Sequence, residues 1–207
     1  MKINPEKLAY WYFRLNGCFT LTNFVVHPSE GREQRTDVDI FAVRLPYRCE
    51  LLVNPMQDDD VLLPNGNRTK LILAEVKKET CNLNGPWTKR ERSNMQLAIA
   101  AAGAFSPDII EEVANELYDV GVYQDERFQM MLFCIGSREN RELRIKYPLV
   151  PQVTWQHILK FIYNRFNIYR DQKHNHAQWD TCGKELFRLA TRSKIADDFI
   201  KEIELVA

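Results

Sequence analysis

The sequence predicts one α/β domain with elements in the order αβββαβ, a mixed central sheet flanked by helices, and further helices at the C-terminus. Two observations predict this class. Short β-branched and aromatic runs alternate with segments of helical periodicity. The strongest apolar run, LILA at 71–74, is typical of a strand buried on both faces. Because no repeat or linker divides the chain, we expect a core at about 4–136 and a helical extension at about 150–207.

The first half of the chain begins with a predicted helix. Asn4 is a favoured N-cap residue and Pro5 a favoured first helical residue. The apolar residues then recur at helical spacing until the stop signal Asn16-Gly17. Composition predicts three core strands, at 19–26, 36–45 and 70–78. A short strand is also predicted at 61–63, inside an irregular stretch at 47–68.

The second half is predicted to be mainly helical. An apolar stripe through Met95 and Ala98 indicates an amphipathic helix, and Ser106-Pro107 begins the next one. The predicted elements are helices at 90–104, 109–117, 154–170 and 184–192, with a fourth core strand at 128–135.

The composition excludes several classes of protein. The 207 residues are 45% hydrophobic and carry 28 basic and 28 acidic side chains, which argues against intrinsic disorder. No apolar run is long enough to span a membrane, and the N-terminal residues do not resemble a secretory signal, so we expect a cytoplasmic protein without a membrane partner. The five cysteines form no CxxC pair and are expected to be reduced. Because the net charge is zero, any nucleic-acid contact must use a local basic surface.

Charged residues follow the LILA run directly. Glu75 and Lys77 are two residues apart and therefore project to the same side of the predicted strand. Asp39 lies in a second apolar strand, and if the two strands are neighbours its carboxylate can meet that of Glu75. Buried carboxylates need a neutralising partner, and a divalent cation can supply one. The pattern predicts a site for Mg²⁺, with Mn²⁺ as an alternative, and favours phosphodiester chemistry.

These residues resemble the PD-(D/E)XK nuclease superfamily, which has the restriction-endonuclease-like fold. The resemblance rests on Asp39, the triplet Glu75-Val76-Lys77, Glu6 in the first helix and Gln96 in the helix after the triplet. It covers residues 4–105 and is closest to the Holliday-junction-resolvase-like branch. The usual proline before the strand aspartate is absent, which leaves Asp37 as a competing ligand.

The resemblance implies a role for each of these positions. Asp39, Glu75 and the backbone carbonyl of Val76 would hold Mg²⁺. Lys77 would orient or deprotonate the attacking water and steady the phosphate. Glu6 would reach a second ion or brace Lys77, and Gln96 would hydrogen-bond a ligand carboxylate or a backbone phosphate.

Each residue also has a plain structural interpretation. Asp39 in an alternating strand can face solvent, and Glu6 in a first helical turn complements the helix dipole. Gln96 can be a solvated helix residue. Trp87, beside two basic residues, can stack on an unpaired base or fill the core. The order and spacing of the whole set favour the nuclease interpretation.

Several basic side chains are predicted to contact nucleic acid. They fall in the loop before the second strand, after the Glu75 triplet, and along one face of the last predicted helix. These residues are Arg32, Arg35, Lys89, Arg90, Lys184, Arg188 and Arg192. Any one of them can instead form a surface ion pair, for example Arg188 with Glu185.

The sequence therefore predicts a metal-dependent nuclease that acts on DNA. An alternative is a catalytically inactive subunit of the same fold that binds nucleic acid or proteins in a bacterial defence or repair complex. A third hypothesis is an RNA-directed nuclease. A homodimer is a further expectation, because cutting both strands of a duplex benefits from two symmetric sites.

Overall fold

The computed structural model of the protein describes residues 1–27, 36–63, 66–174 and 179–206. Helices flank a mixed central sheet, which confirms the predicted α/β class. Arg32 and Arg35 lie outside the described residues, so their predicted role stays a prediction.

The strands include all four predicted core strands and four short ones. They are β1 (Lys2–Ile3), β2 (Phe19–Val26), β3 (Thr36–Arg44), β4 (Thr69–Val76), β5 (Val122–Gln124), β6 (Phe128–Gly136), β7 (Gln152–Thr154) and β8 (Glu204–Leu205). The helices are α1 (Pro5–Leu15), α2 (Gly85–Thr88), α3 (Asn94–Ala102), α4 (Ile110–Val120), α5 (Arg141–Lys146), α6 (Trp155–Ile168), α7 (Arg170–Lys173), α8 (Thr181–Arg192) and α9 (Ala196–Lys201).

The central sheet has the order β2-β3-β4-β6-β5, and β7 pairs with the C-terminal end of β6. The strands β2, β3 and β4 form an antiparallel meander, whereas β4 and β6 are parallel. A parallel pair requires a crossover connection, and the segment containing α2, α3 and α4 provides it. The terminal strands β1 and β8 pair separately with each other.

Two apolar layers cover the two faces of this sheet. Successive β4 side chains alternate between them, so that Ile72 and Ala74 face one layer while Leu71 and Leu73 face the other. The first layer contains α1 and the C-terminal helices α6, α8 and α9, and the second contains α3 and α4. Because α1 and α6 pack together on the sheet, the C-terminal helices share a core with the N-terminal half.

A predicted helix start and a predicted short strand were wrong, each for a local reason. The helix predicted from Arg90 begins only at Asn94, because residues 90–92 form a 3-10 turn and Ser93 adopts a left-handed φ of 51°. Residues 61–63 are not a strand. Asp60–Leu62 forms a 3-10 turn, and the Asp59 side chain accepts a hydrogen bond from the backbone N–H of Val61 at 3.2 Å.

Two further expectations concern the cysteines and membranes. All five cysteines are free thiols, and three of them are buried. Among the described residues, no helix combines the length and apolar character that a membrane crossing requires.

Candidate functional site

The site lies where β3 and β4 stop pairing. Their antiparallel register ends at Ile40 opposite Ala74. The next residue along each strand is a carboxylate, Asp39 on β3 and Glu75 on β4. On its other side β4 stays paired with β6 as far as Val76 opposite Ile135. One edge of β4 is thus held while the other opens, and the two carboxylates stand at this opening.

Beyond the last backbone pair of β3 and β4, the side chain of Asp39 continues the hydrogen bonding between the two strands. Its Oδ2 accepts a hydrogen bond from the backbone N–H of Val76 at 2.7 Å. The neighbouring strand is distorted at the same level. Asn23 has a φ of 50°, and it lies between the paired residues Thr22 and Phe24. A left-handed asparagine in a strand is uncommon, and it interrupts β2 beside Asp39.

Glu75 is almost fully buried, at 3% exposure. Its Oε1 accepts hydrogen bonds from Lys77 Nζ and Asn84 Nδ2, and its Oε2 accepts one from Trp87 Nε1 at 2.7 Å. The neutralising partner that the sequence argument required is thus present within the protein, because Lys77 and two neutral donors satisfy this carboxylate. As the spacing predicted, Glu75 and Lys77 project to the same side and form an ion pair.

The carboxylates at this end of the sheet repel one another. Burial raises the pKa of Glu75, and the charge of Asp39 raises it further. Burial also raises the pKa of Asp39, with a contribution from Asp37, although Val76 N–H and Lys77 oppose it. The pKa of Glu6 rises for the same reasons, through burial and the charges of Asp39 and Asp37. Crowded carboxylates with raised pKa values favour either a proton or a cation.

The donor set fits a hard cation held by few protein ligands. No group of three or more His, Cys, Asp or Glu side chains in the described part of the chain is arranged to hold a metal ion. An ion between Asp39 and Glu75 would need the Val76 carbonyl, water and substrate oxygens to complete its shell. Mg²⁺ is commonly bound in this way, through one or two carboxylates with several retained waters.

Glu6 and Gln96, the two helix residues that the resemblance implies, lie in different environments from each other. Glu6 lies in the first turn of α1, near enough to Asp39 and Lys77 for their charges to affect its pKa. Gln96 lies on α3, and its amide Nε2 donates to Glu111 Oε2 on α4 at 3.1 Å. Its Oε1 is buried without a hydrogen-bond partner among the described residues. Gln96 thus joins α3 to α4, and its described hydrogen bond is to Glu111 and not to Glu75.

The predicted nucleic-acid contacts are mostly exposed but partly committed to ion pairs. Lys89 and Lys184 are exposed. Arg90 donates to Asn115 and Asp119 on α4. On α8, Arg188 pairs with Glu185 at 2.5 Å and Arg192 pairs with Glu202. The basic stripe of α8 is accordingly balanced by neighbouring carboxylates, as the plain interpretation of Arg188 anticipated.

Sequence reasoning named Trp87, with filling the core as one interpretation, but it missed the hydrogen bonds that Trp87 and Trp155 make around the Glu75 triplet. Trp87 is buried at 2% exposure and donates to Glu75, so it fills the core and is not available to stack on a base. Trp155, at the start of α6, donates to the backbone carbonyls of Lys77 at 3.1 Å and Lys78 at 3.2 Å. The turn signal Asn84-Gly85-Pro86 was the available clue, because it folds the chain back over β4.

No family model, no curated protein and no solved structure matches the chain.

Proposed function

We propose that the protein is a divalent-metal-dependent nuclease of the PD-(D/E)XK type that hydrolyses phosphodiester bonds in DNA. The observation that carries the proposal is the convergence of Asp39, Glu75 and Lys77 at the opening between β3 and β4. Two carboxylates and an amine at the end of a buried strand combine a cation site with a positive group beside it.

The strand order supports the same proposal. A helix, an antiparallel three-stranded meander, a helical crossover and a strand parallel to the third follow one another along the chain. This order is compatible with the αβββαβ core that the resemblance implies, with β5 and β7 as additional strands that pair with β6. The Asp39 and Glu75 strands are direct neighbours in it, as the site requires.

Each residue has a physically reasonable role. When bound, Mg²⁺ would act as a Lewis acid on the phosphate and lower the pKa of a bound water. Asp39 and Glu75 would hold it with the Val76 carbonyl. The Lys77 side chain is 29% exposed, so its ammonium group would reach an incoming phosphate and stabilise the charge that develops on it. Glu6, near Lys77, would brace that side chain or reach a second ion.

The first test is a cleavage assay with labelled single-stranded, duplex and branched DNA and with RNA. Each substrate is incubated with Mg²⁺, Mn²⁺ or a chelator. We expect metal-dependent cleavage of DNA, with a decrease of about 100-fold or more in Glu75→Gln and Lys77→Ala. Lys78→Ala is the matched control, because Lys78 is adjacent but exposed, and it should retain activity. Cleavage that survives chelation or Glu75→Gln would refute the proposal.

One observation favours a second candidate, a catalytically inactive nuclease-fold subunit that binds nucleic acid or partner proteins. The three protein donors on Glu75 satisfy it without a metal ion. For this candidate we expect salt-dependent DNA binding by fluorescence anisotropy that is equal in Mg²⁺ and chelator and unaffected by Glu75→Gln. Such binding, with no cleavage of any substrate, would select this function over the first.

A further inference from the structure

The chain returns to β4 through a turn that lies against Glu75. Trp87 N donates to the carbonyl of Asn84 at 3.0 Å and closes this turn at the start of α2. Upstream, Leu83 is buried, and the backbone N–H of Cys81 donates to the carbonyl of Arg138 at 2.9 Å. The turn is therefore anchored to the end of the sheet, and its side chains meet Glu75 from a fixed position.

The two oxygens of Glu75 have different surroundings. Oε2 accepts from the indole N–H of Trp87, whose ring is 2% exposed and packs in the layer that contains α3 and α4. Oε1 accepts from Lys77, which is partly exposed, and from Asn84, which is exposed. Oε2 is thus tied to the core, whereas Oε1 is on the side that solvent can reach.

We propose that Trp87 is a positioning residue that fixes Oε2 of Glu75 and directs Oε1 toward the cation, and that the cation takes Oε1 in place of the Asn84 amide. This inference rests on the proposed function. It assigns opposite effects to two donors of the same carboxylate. When the cation binds, the hydrogen bond from Trp87 to Oε2 persists, whereas the hydrogen bond from Asn84 to Oε1 is replaced by a bond from Oε1 to the cation.

The chemistry of the two donors supports this division. An indole N–H can only donate, and a buried ring cannot swing away, so its bond holds the carboxylate in one orientation. Groups that orient a metal ligand typically change metal affinity by about 10- to 100-fold when they are removed. A primary amide on an exposed turn can rotate into water at little cost. While bound it competes with the ion for the same oxygen.

The test is a calorimetric titration of the substrate-free protein with Mn²⁺. We expect Trp87→Phe, which keeps an aromatic ring but loses the donor, to weaken Mn²⁺ binding by about 10-fold or more. Asn84→Ala should bind Mn²⁺ at least as tightly as the wild type. Trp179→Phe is the matched control, because Trp179 packs against Trp11 and Phe166 in the opposite layer, and its affinity should not change.

Wild-type protein supplies a second readout that does not depend on a variant folding. In NMR spectra recorded with and without saturating Mg²⁺, the Trp87 indole proton should stay protected from exchange with solvent. The side-chain amide protons of Asn84 should shift and exchange faster when Mg²⁺ binds, because they no longer donate to Glu75. Loss of the Trp87 protection on Mg²⁺ binding would overturn the inference.

The possible outcomes distinguish the positioning role of Trp87 from the proposed nuclease function on which it rests. If Mn²⁺ binds to the wild type, fails to bind to Glu75→Gln and binds unchanged to folded Trp87→Phe, the positioning role falls and the nuclease proposal stands. Weaker binding in Asn84→Ala would overturn the exchange. If the wild type binds no Mn²⁺, both proposals fall together.

Discussion

Like charges lie close together at both ends of the β3–β4 ladder, but their repulsion is compensated differently at each end. At one end, Arg44 stands opposite Lys70, and both are nearly inaccessible to solvent. At the other end, Asp39 and Glu75 face each other beyond the last pair of the ladder. Like charges opposite each other destabilise a sheet, so each end requires compensating groups.

At the basic end, the protein supplies its own counter-charge. Asp58 accepts hydrogen bonds from Arg44 at 2.6 Å, Arg48 at 2.7 Å and Arg165 at 2.8 Å. Lys70 donates to the carbonyl of Leu63 at 2.6 Å, and burial together with the charge of Arg44 lowers its pKa to about 8. The compensation is internal, which indicates a structural role.

At the acidic end, compensation is less complete. Lys77 pairs with Glu75, yet the pKa values of Glu6, Asp39 and Glu75 are all raised. A surplus of carboxylates that raises their own pKa values is common at functional sites, whereas a saturated ion-pair network is common in structural cores. Both ends carry charge that is shielded from solvent, and the acidic end differs because its charge is not balanced.

The largest expected difference comes from making the same chemical change at both ends. Asp58→Asn removes the anion shared by three guanidinium groups, so we expect the free energy of unfolding to fall by about 3–5 kcal/mol. Urea denaturation measures this change. Glu75→Gln should alter stability far less, because it removes a repelled charge and Lys77 can turn to solvent. Equal losses in the two variants would break the comparison.

A second prediction isolates one ion pair at the basic end. Gly17 has a φ of 72°, and a Cβ there would lie 2.0 Å from Arg48 Nε. We expect Gly17→Ala to displace Arg48 from Asp58 and, with the backbone strain, to cost about 1–3 kcal/mol. Gly103→Ala is the control, since Gly103 has a φ of 68° and no atom within 4 Å of the added Cβ. If both variants lose the same stability, Arg48 contributes nothing.

The smallest effect is a pH dependence of opposite sign at the two ends. The raised pKa of Glu75 means that its stability penalty is absent below the ordinary value of 4.5 and complete above the raised value. Wild-type stability should therefore fall relative to Glu75→Gln as pH rises through that window. Glu50 belongs to the basic end, because it pairs with Arg48, which also pairs with Asp58. Lys173 and Arg48 lower the pKa of Glu50 despite its partial burial, so its contribution to stability is present above 4.5 and lost as pH falls through the lowered value.

Thermal unfolding of the wild type, Glu75→Gln and Glu50→Gln across the acidic pH range checks both signs. As pH rises, the stability of the wild type should increase relative to that of Glu50→Gln and decrease relative to that of Glu75→Gln. Parallel curves for the two variants would contradict the assignment of the two ends.

The sequence was informative where patterns are local. The apolar run before Glu75 predicted a strand buried on both faces, and the two-residue spacing predicted that Glu75 and Lys77 share a side. These features depend on residues close together in the chain, so composition and periodicity carry the signal.

The parts that escaped prediction depend on contacts between distant segments. Asp58 meets Arg165 across 107 residues, and Trp155 reaches the carbonyl of Lys77 across 78. No local pattern encodes such contacts. The start of α3 was misplaced because Ser93, which precedes it with a left-handed backbone, is not a residue type that signals such a turn. The donors on Glu75 were missed because the turn at Asn84 reads as an ordinary loop until it folds back on the sheet.

The most direct test of a cation site at the acidic end is anomalous diffraction from crystals soaked in Mn²⁺. We predict one strong peak between the carboxylates of Asp39 and Glu75, within coordination distance of both and near the Val76 carbonyl, and no such peak in Glu75→Gln. A fully occupied Mn²⁺ site elsewhere with none between these two carboxylates, or an unchanged peak in Glu75→Gln, would contradict the account.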